Sequence, residues 1–289
     1  LVKKFRVFAI LTKGGHTILS KKEIIARFSE ALVKANTELD PSIREHLEHY
    51  QGPFSEILKE NERIARENRL PLCQDTGLVE CFCSLGHRVV LEEPLQQTLE
   101  TAVGQTYRAY PFRDSTVDEP LFRRTPLKDN VPPMVHLFQT EGNVLEIRFL
   151  IKGGGSENLS RYFALEPSAG VDEVENKVIE LVKEKGAMSC PPLHIGIGIG
   201  GSAEKAFVNA KYALTDRLEA RNPHPDYAQL EERLFRKLND LSIGFQGLGI
   251  GPTVLSVHTV YEPTHIATLP LAIAVDCYLN RKGAVRYED

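Results

Sequence analysis

The stretch Ser189-Cys190-Pro191-Pro192-Leu193-His194-Ile195-Gly196-Ile197-Gly198-Ile199-Gly200-Gly201 decides the fold class. From Leu193 to Ile199 an aliphatic residue recurs at every second position, the pattern of a strand buried in a sheet. Gly200-Gly201 provides the chain break, and the residues behind it predict a helix over 203–219. A strand that turns directly into a helix is the building unit of α/β architecture.

Working outward, a helix over about 170–185 ends at Gly186 and leads into Cys190, whose Pro191-Pro192 neighbours predict extended backbone and an exposed thiol at a strand start. Further upstream, Val144, Glu146 and Arg148 alternate with Leu145, Ile147 and Phe149, a strand over 144–151 that runs into Gly153-Gly154-Gly155. Ser20 and Glu23 form a capping box for a helix over about 21–39, and helices follow over 53–68 and 95–109. Downstream, a helix over 227–240 precedes the glycine-rich Gly244–Gly251, and strands over 253–261 and 269–275 complete the pattern. Helices and strands alternate without repeats or low-complexity linkers. The expectation is one compact mixed α/β unit over 20–289, with residues 1–19 an N-terminal extension in which Leu1 to Thr12 reads as a strand or a loose segment.

The 289 residues are 42% hydrophobic and 26% charged, enough to bury a sizeable core. A net charge of −4 with no basic cluster interleaved with aromatics excludes a nucleic-acid footprint. Lys3, Lys4 and Arg6 precede a short apolar run, Val7 to Leu11, too short for a signal peptide and followed by no small-residue cleavage site. No run approaches the roughly 18–20 apolar residues of a membrane span, so a cytoplasmic protein is expected. Five cysteines, an odd number scattered over the chain, do not form a secreted disulfide framework.

Gly196, Gly198, Gly200 and Gly201 imitate a dinucleotide fingerprint, but two of them lie inside the strand, and the nearest candidate ribose acids, Asp216 and Glu219, fall in the helix after the motif and not on a following strand. Neither a phosphate-binding loop nor a His-Glu-x-x-His zinc motif occurs. Chemistry is expected elsewhere. Pro71-Leu72-Cys73-Gln74-Asp75-Thr76-Gly77 places a thiol, an amide and a carboxylate consecutively in a loop, where Asp75 serves either proton transfer or an Asx-turn towards Gly77. Cys190 and Cys277 fall at strand ends, and three separated thiolates leave a metal one open position. Cys81 and Cys83 flank Phe82 on a strand and read as packing residues. Lys152-Gly153-Gly154-Gly155-Ser156-Glu157-Asn158 reads either as a nest of N–H donors for an anion or as a flexible turn. His265 stands in a turn between two strands, and Arg113 in the loop Pro111-Phe112-Arg113-Asp114-Ser115.

Together these segments resemble the N-terminal, alpha-type part of class I (iron–sulfur) fumarate hydratases and the related L-tartrate dehydratases, over about residues 20–285. Cys73 to Gly77 is similar to the family's first cluster motif, and Lys152 to Asn158 to its K-G-G-G-S-E-N motif. Ser189 to Gly201 resembles its C-P-P motif and glycine-rich strand. Thr264-His265-Ile266-Ala267, then Leu269-Pro270 and Cys277, resemble its closing segment. The chain departs at Thr125 to Pro132, where an N-T-G-D-N-T-P stretch is common. Asp276-Cys277-Tyr278 replaces a frequent Q-C-H, and Phe245 interrupts the usual G-P-Q-G-L-G.

The resemblance implies an α/β hydro-lyase catalytic domain over 20–289. Cys73, Cys190 and Cys277 would hold three irons of a [4Fe–4S] cluster whose fourth iron is open to substrate. It implies Asp75 for the hydroxyl proton and Gln74, Arg113, Gly154 and His265 for substrate contact. The opposing base would come from a beta-type subunit, since the chain ends at Asp289 without that domain; the active site is then expected at a heteromeric interface, in a heterodimer that associates further. The reaction expected is reversible hydration of fumarate to malate, as in the tricarboxylic acid cycle. Its alternative is dehydration of L-tartrate to oxaloacetate. A reading from another class is a non-catalytic or zinc-binding subunit, with His265 the fourth zinc ligand.

Overall fold

The computed structural model describes residues 12–13 and 15–288. The expectations for Leu1 to Leu11, including the basic cluster and the apolar run, lie outside the described residues. In chain order the elements are β1 (Thr12–Lys13), β2 (His16–Leu19), α1 (Lys21–Thr37), α2 (Pro41–His49), α3 (Ser55–Asn68), β3 (Leu78–Gly86) and β4 (Val89–Leu91). There follow α4 (Leu95–Ala109), β5 (Met134–Thr140), β6 (Leu145–Lys152), α5 (Gly154–Glu157), β7 (Arg161–Leu165) and α6 (Gly170–Lys185). The last are β8 (Leu193–Gly200), α7 (Ala203–Ala213), α8 (Pro225–Asn239), β9 (Val254–Glu262), β10 (Leu269–Asp276) and β11 (Lys282–Tyr287). The fold is mixed α/β.

Contacts gather into two compact units, each assembled from separate segments. The first takes the described residues up to Lys34, Leu78–Phe149 and those from Lys282 on; the second takes Ala35–Gly77 and Leu150–Arg281. This interleaving leaves no linker for the sequence to display.

In the first unit a four-stranded sheet has the order β11-β6-β3-β5, with β3 and β5 parallel. Val79, Cys81, Phe82 and Cys83 of β3 are all buried, so both faces of the strand are covered. Ile24, Phe28 and Leu32 of α1 are buried, and the Phe28 ring meets Phe149 edge-on at 5.2 Å. The capping box has its first bond, Glu23 N–H to Ser20 Oγ at 3.2 Å. β11 was not expected from the sequence; its Tyr287 is fully buried and donates from its hydroxyl to the Ile24 carbonyl at 3.1 Å.

In the second unit the sheet order is β7-β10-β8-β9, with β10 antiparallel to both neighbours and β8 parallel to β9. The two sides of β8 serve different helices. Ile195, Ile197 and Ile199 join Val174, Val178 and Val182 of α6 and Leu230, Leu234 and Leu238 of α8 in one apolar core. On the opposite side a Cβ at Gly196 or Gly198 would overlap the carbonyl oxygens of Ala210 and Ala206. These glycines therefore seat the α7 backbone on the strand, which explains the imitation fingerprint. α7 stops at Ala213, short of the expected 219, because Leu214, Thr215 and Asp216 bond three residues back and tighten the last turn. α2 was also not expected; its signal is Asp40-Pro41, where Asp40 Oδ1 accepts from Ser42 N–H at 3.0 Å and proline opens the helix. Among the described residues no helix is long and apolar enough to cross a membrane.

Candidate active site

The loop after α3 is held by its backbone before any side chain acts. Leu72 N–H donates to the Asn36 carbonyl at 2.8 Å, and Asn61 Nδ2 donates to the Leu72 carbonyl at 3.0 Å, so Cys73 leaves a pinned residue. Gln74 is exposed and Asp75 half-buried. Asp75 Oδ1 accepts from Gly77 N–H at 3.0 Å, which is the Asx-turn, and its Oδ2 accepts from Gly154 N–H at 2.8 Å. The carboxylate thus joins the cysteine loop to the first residue of α5. Gly77 has φ of 71°, and a Cβ there would stand 2.7 Å from the Lys152 carbonyl oxygen, so only glycine permits this approach.

Cys190 ends a 3-10 turn, Gly186–Ser189, at φ 48° and ψ 64°. The expectation of extended backbone before proline is corrected here: the tertiary bonds on either side hold this residue left-handed despite its Cβ. Gln246 N–H donates to the Pro191 carbonyl at 2.8 Å, and Tyr278 N–H to the Cys190 carbonyl at 3.2 Å. The second bond ties Cys190 to the residue after Cys277. Cys190 is exposed, and Cys73 and Cys277 are partly exposed.

The three thiols share one electrostatic neighbourhood. Partial burial and then the Cys73 thiol push Cys190 above the usual thiol range. Burial, followed by the Asp276 carboxylate, pushes Cys277 up to about 12, with Cys190 adding to the shift. The Tyr278 hydroxyl is raised by burial and by Cys277, Cys73 and Cys190 in turn. Cys73, Cys277 and Tyr278 also pack against one apolar cluster, in which the Tyr50 and Phe245 rings stack at 4.1 Å. Sequence reading picked the thiols but not this aromatic floor, whose signal was Phe245 itself. Among the described residues no three His, Cys, Asp or Glu side chains come close enough together to hold a single metal ion.

His265 is exposed between β9 and β10, and its Nδ1 accepts from Ala267 N–H at 3.1 Å, which places the proton on Nε2. It lines an open pocket of about 420 Å³ with Glu166, Ser202 and Thr268, in which no cysteine takes part. Arg113 belongs to the first unit, exposed in the loop after α4, where Ser115 N–H donates to Asn130 Oδ1 at 2.9 Å. A hollow of about 580 Å³ between α8 and β9, lined by Glu231, Arg221 and His258, also holds no cysteine.

With this geometry in place, comparison with known proteins decides the family. Residues 25–286 match the family model described as fumarate hydratase (fumerase). The chain belongs to this family. It is 33% identical over 277 residues to a protein of Methanocaldococcus jannaschii provisionally named L(+)-tartrate dehydratase subunit alpha, covering 91% of this chain and 95% of that one. It is 32% identical over 230 residues to the L(+)-tartrate dehydratase subunit alpha of Escherichia coli K12, covering 78% and 75%. The same identity and coverage hold for the subunit of that name from Shigella sonnei. The chain is thus an alpha-type member of the class I fumarate hydratase and tartrate dehydratase family, a family of hydro-lyases.

Proposed function

We propose that this chain is the alpha subunit of a [4Fe–4S]-dependent hydro-lyase that dehydrates L-tartrate to oxaloacetate, with Cys73, Cys190 and Cys277 as the cluster ligands. The observation that supports the cofactor is the convergence of three thiols: Tyr278 N–H ties the residue after Cys277 to the Cys190 carbonyl, Cys73 and Cys277 pack against one apolar cluster, and the Cys73 thiol acts on Cys190. A tetrahedral zinc would draw its sulfurs to roughly 4 Å of one another, from Zn–S bonds near 2.3 Å. A cluster spreads its thiolates over separate irons, and soft ligands suit it. The zinc alternative has less support, since His265 lines a pocket without cysteines. When bound, the cluster would supply a Lewis acid at its open iron for a substrate carboxylate and hydroxyl.

The chain's own residues handle binding and protons. Asp75 lies two positions after Cys73, and its carboxyl is the group that would deliver the proton to the departing hydroxyl. Gly154 N–H, donated to Asp75 Oδ2, orients that carboxyl. Gln74 is exposed beside it and can bond a substrate oxygen. His265 offers Nε2–H to a carboxylate, and Arg113 is the candidate for the other, through its fork of donors. The base for the carbon-bound proton would come from a beta-type subunit, a partner supported by the relatives' names as alpha subunits. An iron–sulfur centre of this kind suits a reducing compartment such as the cytoplasm.

The relatives' names favour tartrate, whereas the family model's name favours the second reading, reversible hydration of fumarate to malate. The test is anaerobic reconstitution with iron and sulfide, followed by assay of both reactions with and without a beta-type partner. Turnover only with the partner, and a higher kcat/KM for tartrate, is expected. Full turnover by the chain alone would defeat the partner assignment, and a preference for fumarate would restore the second reading.

A further inference from the structure

Lys152 carries a charge to a place closed to water: its side chain is 0% exposed. Its Nζ donates to Ser156 Oγ at 2.8 Å and to the Val275 carbonyl at 2.5 Å, and it faces Glu157 Oε2 at 3.7 Å and Asp276 Oδ1 at 3.9 Å. Lys211 holds the other oxygen of Glu157 at 2.7 Å. Asp276 is equally buried. Its Oδ1 accepts from Ser156 Oγ and from the Cys277 backbone N–H, each at 3.0 Å, and its Oδ2 accepts from Asn280 Nδ2 at 3.1 Å. The chain of bonds that starts at the ammonium therefore ends on the main chain of Cys277.

A buried ion pair is a poor way to gain stability, because apolar side chains of the same volume fill such a space without desolvating two charges. What it supplies is direction, since each oxygen of Asp276 is committed to a stated donor. Two residues further along, Gly154 N–H holds Asp75 beside Cys73. The segment Lys152–Glu157 is thus bonded to the neighbours of two separate cysteines.

We propose that Lys152 is a positioning residue for the cysteine set: through Ser156 and Asp276 its buried ammonium sets the Cys277 main chain so that the thiolate can serve as a ligand. This rests on the reading of Cys277 as a cluster ligand. The test uses the full chain, reconstituted anaerobically with ferrous iron and sulfide, and measures iron per chain, visible absorption and the rate of iron loss to a chelator. Lys152→Met is expected to lose iron about ten- to a hundredfold faster than the unaltered chain, the usual effect of removing a residue that orients a ligand. Ser156→Ala should shift the rate the same way by less. Val178→Ala, a core truncation in the same unit, should lower Tm without changing iron loss. If the unaltered chain takes up no iron, the cluster reading fails and this proposal with it. If it loads fully and Lys152→Met retains iron equally well, the positioning role is overturned while the cluster reading stands. Equal iron loss from Val178→Ala would reduce the effect to general destabilisation and also overturn it. Should Lys152→Met not fold, Ser156→Ala decides, and an unchanged rate there counts against the proposal.

Discussion

The two units treat cysteine in opposite ways. In the first, Cys81 and Cys83 sit mid-strand on β3, fully buried, with Phe82 between them buried as well. Burial drives Cys81 well above the usual thiol range, the neighbouring Cys83 and Glu80 adding to it, and burial alone takes Cys83 to about 12. In the second, Cys190 precedes β8 and Cys277 follows β10, where the strand ladder ends and backbone groups are free to bond specific partners. A thiol inside a ladder is a packing atom. At the end of an element, the same group is aimed by the hydrogen bonds of its neighbours, and it can reach a ligand without opening the sheet.

The largest expected effect separates these two sets outright. Cys73→Ser, Cys190→Ser and Cys277→Ser should each abolish iron incorporation. Cys81→Ala and Cys83→Ala should keep the full iron complement and lose about 1–2 kcal/mol of stability from the buried atoms removed. Iron assay and urea denaturation of each variant read both quantities. Dependence on Cys81 together with indifference to Cys190 would break the comparison.

A second test concerns what lies inside the strand of the other unit. β8 spends its mid-strand positions on glycines that seat α7, so Gly198→Ala should cost about 3 kcal/mol, the upper end of ordinary overpacking, as the helix backbone is pushed away. Gly155→Ala, where a Cβ meets nothing within 4 Å, should change stability by less than about 0.5 kcal/mol. Equal losses in denaturant unfolding would show that β8 is not packed as described.

The last test leaves the fold untouched and falls on Asp75, which combines both behaviours. Asn can keep the turn to Gly77 through its carbonyl, but it presents an amide to the Gly154 N–H that the carboxylate now accepts. Asp75→Asn is expected to lower kcat about a hundredfold or more with iron loading intact, the range of a lost proton-transfer group. A variant with near-normal kcat would leave Asp75 as a turn and loop anchor only.

Much of this was legible because it is local. Helix α4 over Leu95–Ala109 and helix α6 over Gly170–Lys185 coincide with the spans read from periodicity and glycine, and Ser20 with Glu23 marks the start of α1. Leu193 to Ile199 announces a buried strand by alternation alone, and the mid-strand position of Cys81 and Cys83 announces packing. The ordered motifs were enough to point to the family, since motif order along the chain is itself a property of sequence.

What only the tertiary structure decided are relations between distant residues. Asp75 reaches Gly154, and Lys152 reaches Val275 and Asp276, across separations that no local pattern encodes. Cys190 adopts a left-handed conformation against its own proline-set preference because bonds from Gln246 and Tyr278 fix its surroundings. The glycines of β8 look like a nucleotide motif until α7 is seen resting on them. Periodicity reports which face of an element is apolar, whereas the partner that covers that face, and the donor that meets each buried carboxylate, is settled only when the chain closes on itself.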